Sequence, residues 1–322
     1  MHLTEQRAAE GALNCPGSVF EEVELQFPHP ELAHENPDNL CQHGCHLTTS
    51  PAEEGRGGEG EKTNSSRIGH YRHSIPIGLH ANLSEGIPVC QSLRAASTLV
   101  NERGFFHGKM GFRQALERHQ LSMEQVELEL KDQIRLFREL TGHLPYHMDG
   151  HQHVHILQEV REVFAQVLSD HRIPYTRVPV EPGLHSCQWL PAHLKSFYAQ
   201  VEKDALDSIP VFKRYGIRWP DVYLGLTTVG RNMSVFNLRL ALSHTFSMSS
   251  CVASSPEERV VTAELMVHPG YPSHSQKGGC GEGPDEFSQS DDRQHELSVL
   301  TDLSLLDMYR KERVQLCSFK DF

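Results

Sequence analysis

The sequence predicts an α/β fold built on a mostly parallel sheet, either closed as a (β/α) barrel or open and doubly wound, and two observations predict it. From Ser74 onward, short apolar runs alternate with helical periodicities to the end of the chain, which is the pattern of parallel strands joined by right-handed crossovers. Three of the strand ends carry histidine: His80, the stretch "HMDGHQHVH" at 147–155, and His268. Strand ends are where such folds place functional loops.

The elements follow in order. "IPIGLHANL" is a short apolar run ending at His80 and reads as a buried strand. A helix is expected over 122–141, with Ser122 and Gln125 as a capping-box pattern, Val126, Leu130, Ile134, Phe137 and Leu140 on one face, and Gly142 as its stop. The next strand ends near Asp149, and a helix striped by Ile156, Val160, Val163 and Val167 follows. On that reading His151 and His155 share a helix face. "RIPYTRVPV" returns as a strand, then a helix at "LPAHLKSFYAQVEKDAL" leads to the strand "DVYLGL". The helix "FNLRLALSHTF", the strand "VVTAELMV", the helix "DLSLLDMYRKE" and the strand "VQLCSF" complete a total of about six strands.

Residues 1–68 have a different texture. They are rich in Glu, His, Asn and Gly, include the linker-like "EEGRGGEGEKTNSS", sustain no apolar period and read as a mostly disordered arm before a folded domain over 69–322. The short "SVFEEVELQF" within the arm suits a strand or a helical turn.

At 322 residues and 38% hydrophobic content, the chain can bury a sizeable core. Its formal net charge of −12 argues against a dedicated nucleic-acid or anionic-membrane surface, since both are bound through clustered Lys and Arg. The N-terminus lacks the basic start and apolar run of a secretory signal, and no transmembrane-length apolar stretch occurs, so the cytoplasm or nucleus is expected. Eight scattered cysteines then read as reduced thiols.

Two or three neutral imidazoles with a carboxylate make a divalent-metal site with positions open to water and substrate. A metal so held polarises a carbonyl and lowers the pKa of bound water, which is hydrolytic chemistry. "CQHGCH" at 41–46 has zinc-binding residue types but no second cysteine pair to complete four ligands. "QKGGCGEGPDEFSQSDD" has the composition of a mobile lid or of a plain surface excursion.

Taken together, "GLHANLSEG", "GFFHGKMGF", "HMDGHQHVH", "AELMVHPGYP" and "GGCGEGPDEF" resemble the YdjC-like carbohydrate deacetylases, over about His73 to Phe322. The resemblance implies an irregular (β/α) barrel that removes acetyl groups from N-acetylated oligosaccharides with a divalent metal, magnesium first and zinc as the alternative. Carried over by motif, the metal-binding histidines are His80 and His151, Asp149 orients an imidazole, and His268 is the acid for the leaving amine.

The sequence departs from that family at its front. The family opens with a strand ending in Asp-Asp-Phe-Gly, whose two carboxylates act as base and ligand, and no such motif occurs here. The adjacent pair Asp291–Asp292 follows a polar loop, and Asp38 and the pair Glu21–Glu22 lie in the arm. The barrel is therefore expected to lack its first two β/α units and its general base, with little or no turnover as a result. Exposed sheet edges would invite pairing with a second copy as a homodimer. Texture and resemblance change together near residues 66–73, which points to an alternative first exon as the source of the arm.

Overall fold

A computed structural model describes residues 17–20, 23–25, 77–250, 260–273, 279–281 and 283–321. Two parallel sheets form its frame. The first has three strands, β2 (Val23–Leu25), β3 (Ile77–Ala81) and β4 (Met148–Gly150), in that order. The second has the order β5 (Val222–Leu224), β6 (Val261–Leu265), β1 (Gly17–Phe20), β7 (Val314–Cys317). Every ladder is parallel, and the α/β class is as expected.

The arm contributes more than its composition suggests. β1 runs between β6 and β7, with Phe20 opposite Glu264 on one side and Cys317 on the other. β2 lies beside β3, pairing Leu25 with Leu79. Two strand positions expected to be missing are thus filled by "GSVF" and "VEL". Only two residues separate them in the chain, which is too few for a crossover helix.

The helices of the described residues are α1 (Gly108–Glu117), α2 (Met123–Thr141), α3 (Val160–His171), α4 (Ala192–Arg214), α5 (Val235–Ser250), the single turn α6 (Glu286–Gln289), α7 (Asp292–Leu300) and α8 (Leu303–Lys311). α2 begins where Ser122 accepts from the Gln125 N–H at 3.3 Å and stops at Gly142, whose φ of 82° suits a residue without a Cβ. Only half of the capping box forms. The Gln125 side-chain Oε1 accepts instead from the Thr98 N–H at 2.7 Å and from the Ser97 and Thr98 hydroxyls, tying down the preceding loop.

The strand expected at "RIPYTRVPV" is reduced to isolated parallel bridges, His147 with Tyr175 and Tyr175 with Arg218. Pro174 and Pro179 supply no N–H, so no continuous ladder can form there. The larger core packs α2, α3 and α4 onto β3 and β4 through Leu79, Met148, Phe137, Phe164 and Phe212, all essentially inaccessible. A second core joins α5 and α8 to β5, β6 and β7 through Leu242, Leu305, Met308 and Leu265. Cys90 and Cys187 are buried free thiols.

Candidate functional site

β3 and β4 place two residues face to face. In their parallel register His80 is opposite Asp149, and the His80 Nδ1–H donates to Asp149 Oδ1 at 2.7 Å. Asp149 is fully buried and also forms an ion pair with Arg177. An ionised carboxylate only accepts, so the bond fixes the proton of neutral His80 on Nδ1 and leaves the lone pair on Nε2. That Nε2 lies 3.3 Å from Nδ1 of His151, with the two rings edge to face at 81°.

His151 reaches that position through an unusual backbone. The helix expected across "HQHVH" does not form as one run. Residues 151–156 make a 3-10 turn in which Gln152 (φ 53°) and His153 (φ 59°) are left-handed, and the regular helix α3 begins only at Val160. A non-glycine residue in that region costs about 1–3 kcal/mol and persists where surrounding contacts impose it. Here Gln152 donates to Glu85 Oε1 at 2.6 Å and accepts from the Ser84 hydroxyl at 3.0 Å. Gly150 has no room for a Cβ, which would sit 2.8 Å from the His155 nitrogen. His151 and His155 consequently do not share a helix face. His155 turns inward and its Nε2 pairs with the Arg177 carbonyl at 2.9 Å.

The loop after β3 carries a further carboxylate that the sequence reading passed over. Glu85 Oε2 lies 3.6 Å from His151 Nε2. Asn82 shapes this loop by accepting from the Ser84 and Glu85 N–H groups, and α2 holds it from below. Gln133 accepts from the Asn82 N–H, and Glu129 accepts from the Val89 and Cys90 N–H groups. Burial pushes the Glu129 carboxyl above its usual range. The signal for Glu85 was present, five residues after His80 within "GLHANLSEG".

Beneath the histidine pair is a buried ionic layer. His147, Asp149 and Glu264 each offer a ligand atom within 4.8 Å of the others, a second arrangement suited in principle to a metal. Arg177, however, pairs with both carboxylates, reaching Glu264 at 2.6 Å. The single guanidinium offsets one of the two carboxylate charges and joins β4 to β6 through its two ion pairs. His147 is buried and stacked on Phe319 with ring centroids 4.2 Å apart. His153 and His155 are likewise interior, and desolvation lowers the pKa of both, to about 4 for His155.

His268 follows the C-terminal end of β6, three residues beyond Leu265. Among the described residues, no hydrogen bond, ion pair or ring contact joins it to His80 or His151. Its partner is Glu296 of α7, with Oε1 3.7 Å from His268 Nδ1 and the His268 backbone N–H donating to Oε2. Asp291 and Asp292 open α7, and Asp292 pairs with Arg231, so that acidic pair serves the helix. Residues 279–281 of the glycine-rich segment lie on the loop after β3, where Gly86 donates to the Gly279 carbonyl at 2.6 Å. Glu21, Glu22, Asp38 and the cysteines at 41 and 45 lie outside the described residues.

Parallel strands with imidazoles at their C-terminal ends, one of them held by a buried carboxylate, define a hydrolase-type site. The chain belongs to the YdjC-like family, whose sequence model matches residues 61–311. A carbohydrate deacetylase of Danio rerio is 62% identical over 260 residues, 78% of this chain and 83% of that protein. One from Xenopus laevis is 55% identical over 252 residues, 78% and 82% of the two chains. A chitooligosaccharide deacetylase of Serratia marcescens is 35% identical over 128 residues, 39% of this chain and 47% of that protein. No helix among the described residues is long and apolar enough to cross a membrane.

Proposed function

We propose that this chain hydrolyses the acetamide of an N-acetylated oligosaccharide at a divalent-metal site held by His80 and His151, on an irregular barrel. The observation that carries this reading is the 3.3 Å approach of His80 Nε2 to His151 Nδ1, with the opposite His80 nitrogen held by Asp149. Two facing nitrogens, one with its lone pair exposed by a carboxylate on the far side of the ring, are the donor arrangement of a metal-binding histidine pair. Two imidazoles suit a borderline ion such as zinc better than magnesium, which prefers oxygen donors.

The bound metal would supply Lewis-acid polarisation of the acetyl carbonyl and an acidified water. The protein's own contribution is orientation and proton movement. Asp149 holds the His80 tautomer, Glu85 faces the outer nitrogen of His151, and His268 donates a proton to the leaving nitrogen. The base is the weakest position. Losing a general base lowers a rate by about 10²–10⁴-fold, and slow turnover is the expectation. The carboxylates nearest in sequence to the position of the missing Asp pair are Glu21 and Glu22, which follow directly on β1.

Acetate release from diacetylchitobiose by metal-loaded protein tests the reading. Slow release that stops with His80→Ala is expected, and zero turnover by folded, metal-loaded chain would overturn it. A Glu21→Gln, Glu22→Gln variant tests whether those carboxylates serve as base. The rival reading is a binding protein that keeps the cleft without turnover, and calorimetric sugar binding with no acetate release would favour it.

A further inference from the structure

We infer that Glu296 is the positioning residue for His268, holding its imidazole with Nδ1 turned into the protein and Nε2 toward the substrate cleft. The inference rests on the deacetylase reading for what His268 does, but its geometry is independent of the metal.

Glu296 is completely buried, and its carboxylate is held by the backbone on both oxygens. Oε1 accepts from the Gly230 N–H at 2.5 Å, and Oε2 accepts from the N–H of His268 itself. A carboxylate fixed in this way has little freedom to seek other partners. The His268 side chain is 37% exposed, yet its Nδ1 is a buried atom with no hydrogen bond, 3.7 Å from Oε1. The imidazole packs edge-on against Phe287 of α6, centroids 5.2 Å apart, which limits its rotation.

At 3.7 Å the contact is too long for a hydrogen bond. Catalytic pairs are often long without substrate and tighten when it binds. A small shift of the ring along its contact with Phe287 would bring Nδ1–H onto the carboxylate. No other carboxylate contacts His268 among the described residues.

The consequence for the reaction is specific. Water's oxygen bonds to the acetyl carbon, the C–N bond breaks with its electron pair going to nitrogen, and that nitrogen takes the proton from His268 Nε2. The acetyl group leaves as acetate, both protons of the water pass to solvent, and His268 takes one proton back from solvent, so that one proton is released per turnover. Glu296 stabilises the imidazolium before transfer and, by holding Nδ1–H afterwards, keeps the bare lone pair on Nε2 for the next proton. The same division of labour, in which a buried carboxylate fixes a tautomer, explains why an isosteric amide impairs a histidine without displacing it.

The test uses the full chain with Glu296→Gln, His268→Ala and the double variant, plus Glu296→Asp in case the amide disturbs folding. Diacetylchitobiose turnover is measured alongside the nitrogen-15 spectrum of the His268 imidazole at alkaline pH. The inference expects kcat to fall about tenfold or more in Glu296→Gln with KM little changed. It expects the double variant to be no slower than His268→Ala, and the neutral tautomer to shift from Nδ1–H toward Nε2–H. Additive losses in the double variant, or an unchanged tautomer in both folded Glu296 variants, would overturn it. If His268→Ala turns over normally, the acid role fails while the tautomer result still decides the positioning role.

Discussion

Two histidine–carboxylate pairs stand at the ends of the two sheets, and they are built differently. In the three-stranded sheet, His80 and Asp149 are direct partners across neighbouring parallel strands, so the backbone register itself sets their 2.7 Å contact. In the four-stranded sheet, His268 lies beyond the end of β6 and takes its carboxylate from helix α7, at 3.7 Å. The first pair is further braced by Arg177, which links Asp149 to Glu264 and so ties one sheet to the other. Glu296 accepts from two backbone N–H groups and, among the described residues, has no arginine or lysine as an ion-pair partner. The difference suits the two tasks proposed for them, since a metal ligand needs fixed geometry, whereas a proton donor must move with the group it protonates.

The largest way to break this contrast is Arg177→Ala. It leaves Asp149 and Glu264 as buried carboxylates without their shared cation, and a loss of about 3–5 kcal/mol is expected in urea unfolding. The next concerns His155, which pairs with the carbonyl of Arg177. Burial depresses its pKa from 6.5 to about 4, so between those values the unfolded chain binds a proton that the folded chain does not. Its contribution is therefore present above pH 6.5 and is lost as the pH falls to about 4, by about 3 kcal/mol at most.

Glu181, raised to about 7 by burial, works in the opposite sense over a similar window, so the informative quantity is the difference between wild type and His155→Gln. That difference should shrink as the pH is lowered. Asp149→Asn should weaken metal binding about 10–100-fold by releasing the His80 tautomer, measured by calorimetry. Smallest is Gly78→Ala. Its new Cβ would collide with the His147 ring, and about 1–3 kcal/mol is expected in thermal unfolding without loss of metal binding.

Much of this arrangement is legible in the sequence because it is written in local signals. The Ser122 cap, the apolar stripe and Gly142 delimit α2 almost to the residue. The apolar run before His80 makes β3, and Asp149 falls in β4. Other features depend on contacts distant in sequence. Nothing local in "HQHVH" announces two left-handed residues, which are imposed by Glu85 and Ser84 more than 60 positions upstream. Glu296 and Arg177 read as ordinary surface charges until the fold buries them. β1 and β2 fall on "SVFEEVELQF", whose residues alone suit a strand or a helical turn, and the choice is made by pairing with β6, β7 and β3.

The central claim is that His80 and His151 hold the metal and the Arg177 layer does not. Cobalt(II) titration read by visible absorption, which separates imidazole from thiolate ligation, tests it most directly on wild type, His80→Ala, His151→Ala and Glu264→Gln. The account predicts a nitrogen-ligated site that is lost in both histidine variants and kept in Glu264→Gln. A site that survives both histidine changes and disappears with Glu264→Gln would contradict it.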